Sequence, residues 1–470
     1  VSKAEEPQLR RLTDHRVFRP LPFAIISAGA FLCASANAQT PGNWPLDRQV
    51  DEAFQQVMRA PADMEAGLNY ARLLVQDGNY EGGIAAMERL LLDPAAPPTV
   101  RVELAVLYYR LASYGMSEAL LRQALDDNRL TGEQRTVAEN LLRDVSKRNQ
   151  VSQFDGVLVF GVRAQTNPAA RSDRDTVLSG GLPLAVAAPF KPKSDTDLQA
   201  TLRLDHRYDL GTQNEAAVVS SLVAQVIKYS SSSGSRLSAS QADPYNLALV
   251  EVTSGIRFKP SATGAPGLTL RPHLIVGTLS AQGHKYLDSY GVGLDAGYLI
   301  NERTVIDAGY EYRNFDYASR IDVPNANLLG GPDNLFRVRL TRELNPGTAL
   351  SGELRARFHR TDRDYYDYDG YEGRLTYAFS YANPFVANGG AWTTSIWGGV
   401  HQRHYQAADP SVDPTRKRRD TEWRIGIGNT VALSTAWSLL IQVEHMDTDA
   451  NLPNFRNKNS SLFGAAAYRF

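Results

Sequence analysis

The stretch GTALSGELRARFHR (347–360) decides how the rest of the chain is read. Leu350, Gly352, Leu354, Ala356 and Phe358 fall on one face, and Ser351, Glu353, Arg355, Arg357 and His359 on the other. A period of two is the mark of a β-strand, whose successive side chains point to opposite sides. A soluble sandwich alternates in the same way. Which face meets which solvent must therefore be decided by strand length, face composition and the connections.

The alternation recurs. In 303–316, Ile306, Ala308, Tyr310 and Tyr312 oppose Val305, Asp307, Gly309, Glu311 and Arg313. In 369–383, Tyr371, Gly373, Leu375, Tyr377, Phe379 and Tyr381 oppose Glu372, Arg374, Thr376, Ala378 and Ser380. Period-two segments lie near 156–166, 197–208, 215–229, 246–258, 268–279, 286–299, 303–316, 333–344, 347–360, 369–383, 391–406, 420–433, 435–448 and 459–470, about fourteen in all. They are longer than the globular strand of about 5–6 residues, and a tilted strand needs about 9–11 to cross a bilayer. Small residues and tyrosines on the apolar side suit a barrel with lipid outside and water inside. The connections give a second criterion. Those at 209–214, 300–302, 345–346 and near 434 are short, whereas 167–196, 230–245, 317–332, 407–419 and 449–458 are longer. Short periplasmic turns alternating with longer external loops belong to an outer-membrane barrel. The connections 280–285 and 361–368 are short for external loops.

The chain has 470 residues with 50 Lys+Arg against 51 Asp+Glu. That balance removes nucleic acid as a partner class. Mean hydropathy is −0.33, and no uncharged apolar run approaches the roughly 20 residues of a spanning helix. Lys3, Arg10, Arg11, Arg16 and Arg19 precede the apolar LPFAIISAGAFL (21–32) and the small-x-small ANA, with Ala36 and Ala38. This pattern predicts a signal peptide over 1–38, cleaved before Gln39. The single cysteine, Cys33, lies inside it. The mature chain then has no disulfide and no thiolate chemistry.

Between 47 and 148 the apolar period is helical: Leu68, Ala71, Leu74 and Val75, then Ile84, Met87, Leu90 and Leu91. A turn at Asp77–Tyr80 separates two helices, Asp93-Pro94 stops the second, 100–125 repeats the plan about Tyr114-Gly115, and a further helix is expected at about 132–148. The unit resembles tetratricopeptide (TPR) repeats through Gly78, Tyr80, Asp93-Pro94 and the small Ala119. It departs from them at Gly83, in place of alanine, at Gly67, in place of tryptophan, and in a short second helix of its second unit. A short solenoid of this kind binds a peptide or a partner on its concave face. The expected fold is thus α + β in two domains: a TPR-like helical domain over 39–150 and an antiparallel transmembrane β-barrel of about 14 strands over 151–470.

Few residues suggest chemistry. RTDRDYYDYDGYEG (360–373) is acidic, but its spacing is not that of a calcium-binding EF-hand loop. On a strand His401 and His404 point to opposite faces and cannot share a metal. His206, His273, His359 and His445 are scattered over four strands, with no assigned nucleophile. No enzyme activity and no cofactor or metal is expected. Charges on the expected inner faces form a larger set: Arg203, Asp205, Arg207, Glu311, Arg313, Arg337, Arg339, Glu353, Arg355, Arg357, Glu372, Arg374, Arg424 and Glu444. Facing lipid, an arginine would cost about 2–4 kcal/mol at the midplane. Facing a lumen, these groups are hydrated or paired.

The export signal, the TPR-like domain and the terminal barrel together resemble the surface lipoprotein assembly modifiers. FGVRAQTNPAAR (160–171) looks like the entry of that family's barrel. The resemblance implies a monomeric barrel in the outer membrane of a Gram-negative bacterium, with the helical domain in the periplasm. It further implies delivery of lipoproteins or other client proteins to the cell surface. A polysaccharide-export protein or a porin-like channel is the alternative. The ending SLFGAAAYRF (461–470), with Tyr468 and Phe470, resembles the signal read by the barrel-assembly machinery.

Overall fold

The computed structural model describes residues 44–470, apart from 112, 131, 213, 233–236, 238–242, 261–264, 266, 302 and 386–389. The signal peptide read over 1–38, with Ala36 and Ala38, lies outside the described residues. The chain divides near residue 153 into two compact units.

The first unit consists of α1 (Trp44–Arg59), α2 (Met64–Gln76), α3 (Tyr80–Leu90), α4 (Pro98–Arg110), α5 (Tyr114–Asp126) and α6 (Gly132–Arg148). Asp63 caps α2 by accepting from the backbone N–H of Glu65 and Ala66, and Asn79 caps α3 by accepting from Gly82 N–H. Gly78, at φ +85°, makes the left-handed step that ends α2. Val100, Leu104, Ala105, Leu121, Ala124 and Val145 form a core that is closed to solvent.

The second helix of the second unit, expected to be short, is α5 with 13 residues, and the two glycine departures from the TPR pattern have a steric cause. A Cβ on Gly83 would lie 2.6 Å from a Val75 methyl and 3.2 Å from the Ala71 carbonyl. At Gly67 it would lie 2.6 Å from Leu90 Cδ2, because Leu90 fills the space. The small residue packed under α5 is Ser117, not Ala119: Ser117 is buried and donates to Ala105 O at 2.8 Å, while Ala119 is exposed. The helix begins at Tyr114, which sets the buried phase at Ser117, Leu120, Leu121 and Ala124.

The second unit runs β1 (Ser152–Gln165), β2 (Thr176–Ser179), β3 (Leu182–Ala185), β4 (Asp195–Asp209), β5 (Ala217–Tyr229), β6 (Leu247–Arg257), β7 (Leu268–Ala281) and β8 (His284–Asn301). It continues as β9 (Thr304–Tyr317), β10 (Gly331–Asn345), β11 (Thr348–His359), β12 (Tyr368–Tyr381), β13 (Trp392–Ala408), β14 (Lys417–Ala432), β15 (Trp437–Ala450) and β16 (Asn457–Arg469). All but β2 and β3 form one closed barrel of neighbouring strands. The fourteen wall strands match the fourteen period-two segments one for one. The seam is antiparallel, from Val157 opposite Arg469 to Gln165 opposite Ser461. Beyond it, Gly156 and Phe470 exchange backbone bonds of 2.9 and 3.1 Å.

The long first connection holds the β2–β3 hairpin, which period-two reading did not resolve because each strand has only 4 residues. Gly180 and Gly181 donate to Ser411 O and Val412 O in the β13–β14 loop, and Leu178 exchanges bonds with Asn454 in the β15–β16 loop. Across the same rim, Val323 and Ala326 of the β9–β10 loop pack on Ile227, Tyr229, Tyr245, Leu247 and Tyr286. Arg320 anchors that loop. It pairs with Asp322 at 2.6 Å, donates to Ala281 O at 2.7 Å and lies over the rings of Tyr245 and Tyr286.

One carboxylate in the helical unit gives a pH test. Glu118 accepts from Arg122 at 2.5 Å, Asn149 at 2.7 Å and Ser146 at 3.0 Å, joining α5 to α6. The Arg122 bond, followed by the Asn149 bond, holds its pKa below the usual glutamate value. A depressed folded-state pKa stabilises above the unfolded value and is lost as pH falls through the folded one. Glu118→Gln should lower the helical unfolding temperature by about 2–4 °C at pH 7, the scale of an exposed pair in a small domain. The gap from wild type should close as the pH falls below the ordinary glutamate range, followed by circular dichroism. A gap that is constant with pH would refute the assignment.

Candidate functional site

The interior of the barrel is where the charged side chains meet. Arg313 on β9 reaches Glu251 on β6 at 2.6 Å. These strands lie three places apart in the wall, or about 14 Å at the usual strand spacing. Side chains separated by that much converge only on the concave side. The opposite face carries exposed apolar groups: Leu354 at 68 %, Trp423 at 60 % and Ile425 at 62 %.

Most of the charged positions singled out in the sequence are paired. Arg203 meets Asp205 at 2.7 Å, and Arg207 meets Asp209 at 3.0 Å. Glu311 shares Arg313 with Glu251, at 2.9 Å. Arg337 reaches Asp295 at 3.3 Å. Arg339 and Arg355 both bind Glu353, and Arg355 also approaches Glu372 at 3.6 Å. Arg357 meets Asp333 at 2.8 Å. Arg424 binds Glu422 at 2.5 Å. Arg374 lies 5.3 Å above the ring of Trp397. Glu444 stands opposite Gly426 and Ser461 in the register.

Trp397 has room because Gly426 faces it: a Cβ there would lie 2.3 Å from the indole.

Sequence reasoning missed several partners. Arg163 binds the buried Asp197 at 3.1 Å. Arg403 lies between Asp420 at 3.4 Å and Glu422 at 3.1 Å, and Arg418 holds Asp420 at 2.6 Å. Arg418, Asp420, Glu422 and Arg424 alternate along β14, a pattern that would have disclosed them. Burying such charges is costly, and removing one partner typically costs about 3–5 kcal/mol because the other is left unpaired.

No catalytic arrangement emerges from the candidates. His401 stands opposite Glu372 and Glu422, whereas His404 stands opposite Asp369 and Arg419. His445 Nδ1 lies 2.8 Å from Ser460 Oγ, a contact fixed by their direct opposition across β15 and β16. In the acidic loop, Asp367 accepts from Thr361 N–H and Oγ at 2.7 and 3.0 Å, and Arg360 holds Asp369 at 2.7 Å. Among the described residues no three His, Cys, Asp or Glu side chains are grouped to hold a metal. At the other rim Phe470 packs against Gly156, where a Cβ would lie 2.4 Å from its ring. Tyr468 continues the row, with centroids 5.8 Å from Phe470 and 4.8 Å from Trp437.

The family model described as surface lipoprotein assembly modifier matches residues 191–435, from just before β4 to just after β14. No curated protein matches the chain. Among solved structures, an anion-selective porin from Comamonas acidovorans is similar at 10% identity and TM-score 0.35, covering 68% of this chain and 99% of its own. A bacterial polysaccharide outer membrane secretin is similar at 10% identity and TM-score 0.34, covering 67% and 98%. PcrH in complex with the chaperone binding region of PopD is similar at 15% identity and TM-score 0.21, covering 23% of this chain and 83% of its own.

The assignment of faces is testable at mid-strand. Leu354→Arg should destabilise the barrel in lipid vesicles by about 2–4 kcal/mol, read by urea titration of tryptophan fluorescence, while Leu354→Phe should cost far less. Equal stabilities would mean that Leu354 does not face lipid.

Proposed function

The chain belongs to the surface lipoprotein assembly modifier family, and from that premise we propose that it delivers lipoproteins or other client proteins to the cell surface. The match to the barrel wall from β4 to β14 carries this reading. The family and the fold are those of an outer-membrane assembly barrel rather than of an enzyme.

In this proposal the TPR-like domain, over 39–150, sits in the periplasm and takes up the client. The barrel, over 151–470, serves as its route or insertion platform, acting as a monomer in outer-membrane lipid. The paired charges of the lumen set what can pass. Paired guanidinium and carboxylate groups keep the wall polar without a large field of one sign. The client must be sought by chemistry and gene context, beginning with a lipoprotein encoded beside this chain.

Deleting residues 47–148 should abolish surface exposure of that lipoprotein, measured by protease shaving of whole cells. The truncated barrel should still show heat-modifiable migration. Unchanged exposure would remove the helical domain from the mechanism.

The terminal aromatics have a separate role in the proposal, as the signal read by the barrel-assembly machinery. Removing Phe470 should reduce the heat-modifiable fraction in the outer membrane several-fold. Refolding of the purified chain into detergent should change little, since Phe470 is half exposed and its ring lies at the rim against Gly156 and Tyr468. Equal losses in cells and in detergent would make Phe470 a structural residue instead.

A further inference from the structure

Inside the barrel, toward the rim where β16 ends, lies a cavity of about 260 Å³. Arg257, Arg271, Arg337 and Arg339 line it together with Asp295 and Asp307. Elsewhere in the lumen, arginines such as Arg163, Arg203 and Arg357 have a carboxylate within 3.1 Å. Here the carboxylates are too few. Asp295 is shared between Arg271 at 3.6 Å and Arg337 at 3.3 Å. Arg339 shares Glu353 with Arg355. Arg257 has no acidic partner among the described residues, and Arg271 Nε is buried without a hydrogen-bond acceptor.

The wall is shaped to leave this space open. Gly297 and Gly309 stand where side chains would fill it. A Cβ on Gly297 would reach within 3.0 Å of Thr269 Oγ1 and 3.4 Å of Asp307, and one on Gly309 within 3.1 Å of Asp295 and 3.3 Å of Arg337.

We propose that this cavity is a binding site for a phosphate-class oxyanion, free or borne on a headgroup. Two features select that chemistry. Four arginines line the cavity against two aspartates, and Glu353 offsets part of that excess through Arg339, so net positive charge remains for an oxyanion. The guanidinium groups come from β6, β7 and β10, and so approach from different directions. A tetrahedral oxyanion offers oxygens to all three, whereas a planar carboxylate offers two to one side. Asp307 opposes the anion and limits its affinity. This proposal does not depend on client delivery.

The test is calorimetric titration of the full chain in detergent at low ionic strength, with inorganic phosphate in one arm and sn-glycerol 3-phosphate in the other. Saturable binding that weakens with added salt is expected in at least one arm. Tighter binding of phosphate indicates the free ion, and tighter binding of glycerol phosphate indicates a headgroup. Arg271→Gln and Arg337→Gln should each weaken binding about tenfold or more, the scale of a lost charged hydrogen bond. Asp307→Asn should tighten it about threefold, a gain that damage to the fold would not produce. Arg456→Gln, whose arginine pairs with Asp449 at 2.6 Å far from the cavity, should change nothing. Absence of saturable binding in both arms, or equal losses in Arg456→Gln and Arg271→Gln, would overturn the site. So would weaker binding in Asp307→Asn.

Discussion

Hydrocarbon offers the backbone no hydrogen-bond partner, so a sheet that crosses a membrane has to close on itself. The β1–β16 seam meets that constraint, and the rest of the barrel depends on it. It joins residues far apart in sequence, from Val157 with Arg469 to Gln165 with Ser461. Small side chains line much of it: Gly161, Gly464, Ala465, Ala466 and Ala467. A Cβ at Gly161 would meet Gly464 O at 2.7 Å, so close contact there requires glycine. The aromatic ending follows from the same geometry. Phe470 extends the seam by one residue and lays its ring on Gly156.

Closure also separates two solvents along every strand. A side chain displaced by one position changes from lipid to lumen, which is why charge and apolarity alternate so strictly. Fourteen strands leave more interior than side chains alone would fill, since about eight suffice for that. Polar side chains line that space, and most arginines there find carboxylates on the same, a neighbouring or a more distant strand. Arg313 with Glu251 spans three strand intervals. Such pairs tie one part of the wall to another through the interior and give the lumen a fixed shape.

The features that depend on local period were readable from the chain. Strand number, strand limits to within a few residues and the five helices after α1 all follow from spacings of two or of three and four. What depends on the third dimension was not. Which carboxylate Arg313 meets is set by curvature of the wall, which no periodicity encodes. The burial of Ser117 in place of Ala119 depended on where α5 begins, and a shift in phase by two residues turns a buried position outward. Gly67 and Gly83 looked like departures from a repeat pattern, but Leu90 and Val75 account for both. The β2–β3 hairpin is too short to show a period, and contacts with two other loops hold it in place.

The rims differ in a way that bears on function. Where β1 ends, long loops fold against one another: Arg320 holds one group onto Tyr245 and Tyr286, and the β2–β3 hairpin joins another to the β13–β14 and β15–β16 loops. These contacts bury apolar groups such as Val412, Leu452 and Ala326, so opening that rim would require exposing them. At about 25 cal/mol per Å² of apolar surface, uncovering even a few such side chains costs several kcal/mol. Toward the other rim the lumen holds the arginine-lined cavity, with Gly297 in its wall. The barrel is therefore asymmetric along its axis, with an arginine-rich lining toward one rim and packed loops at the other.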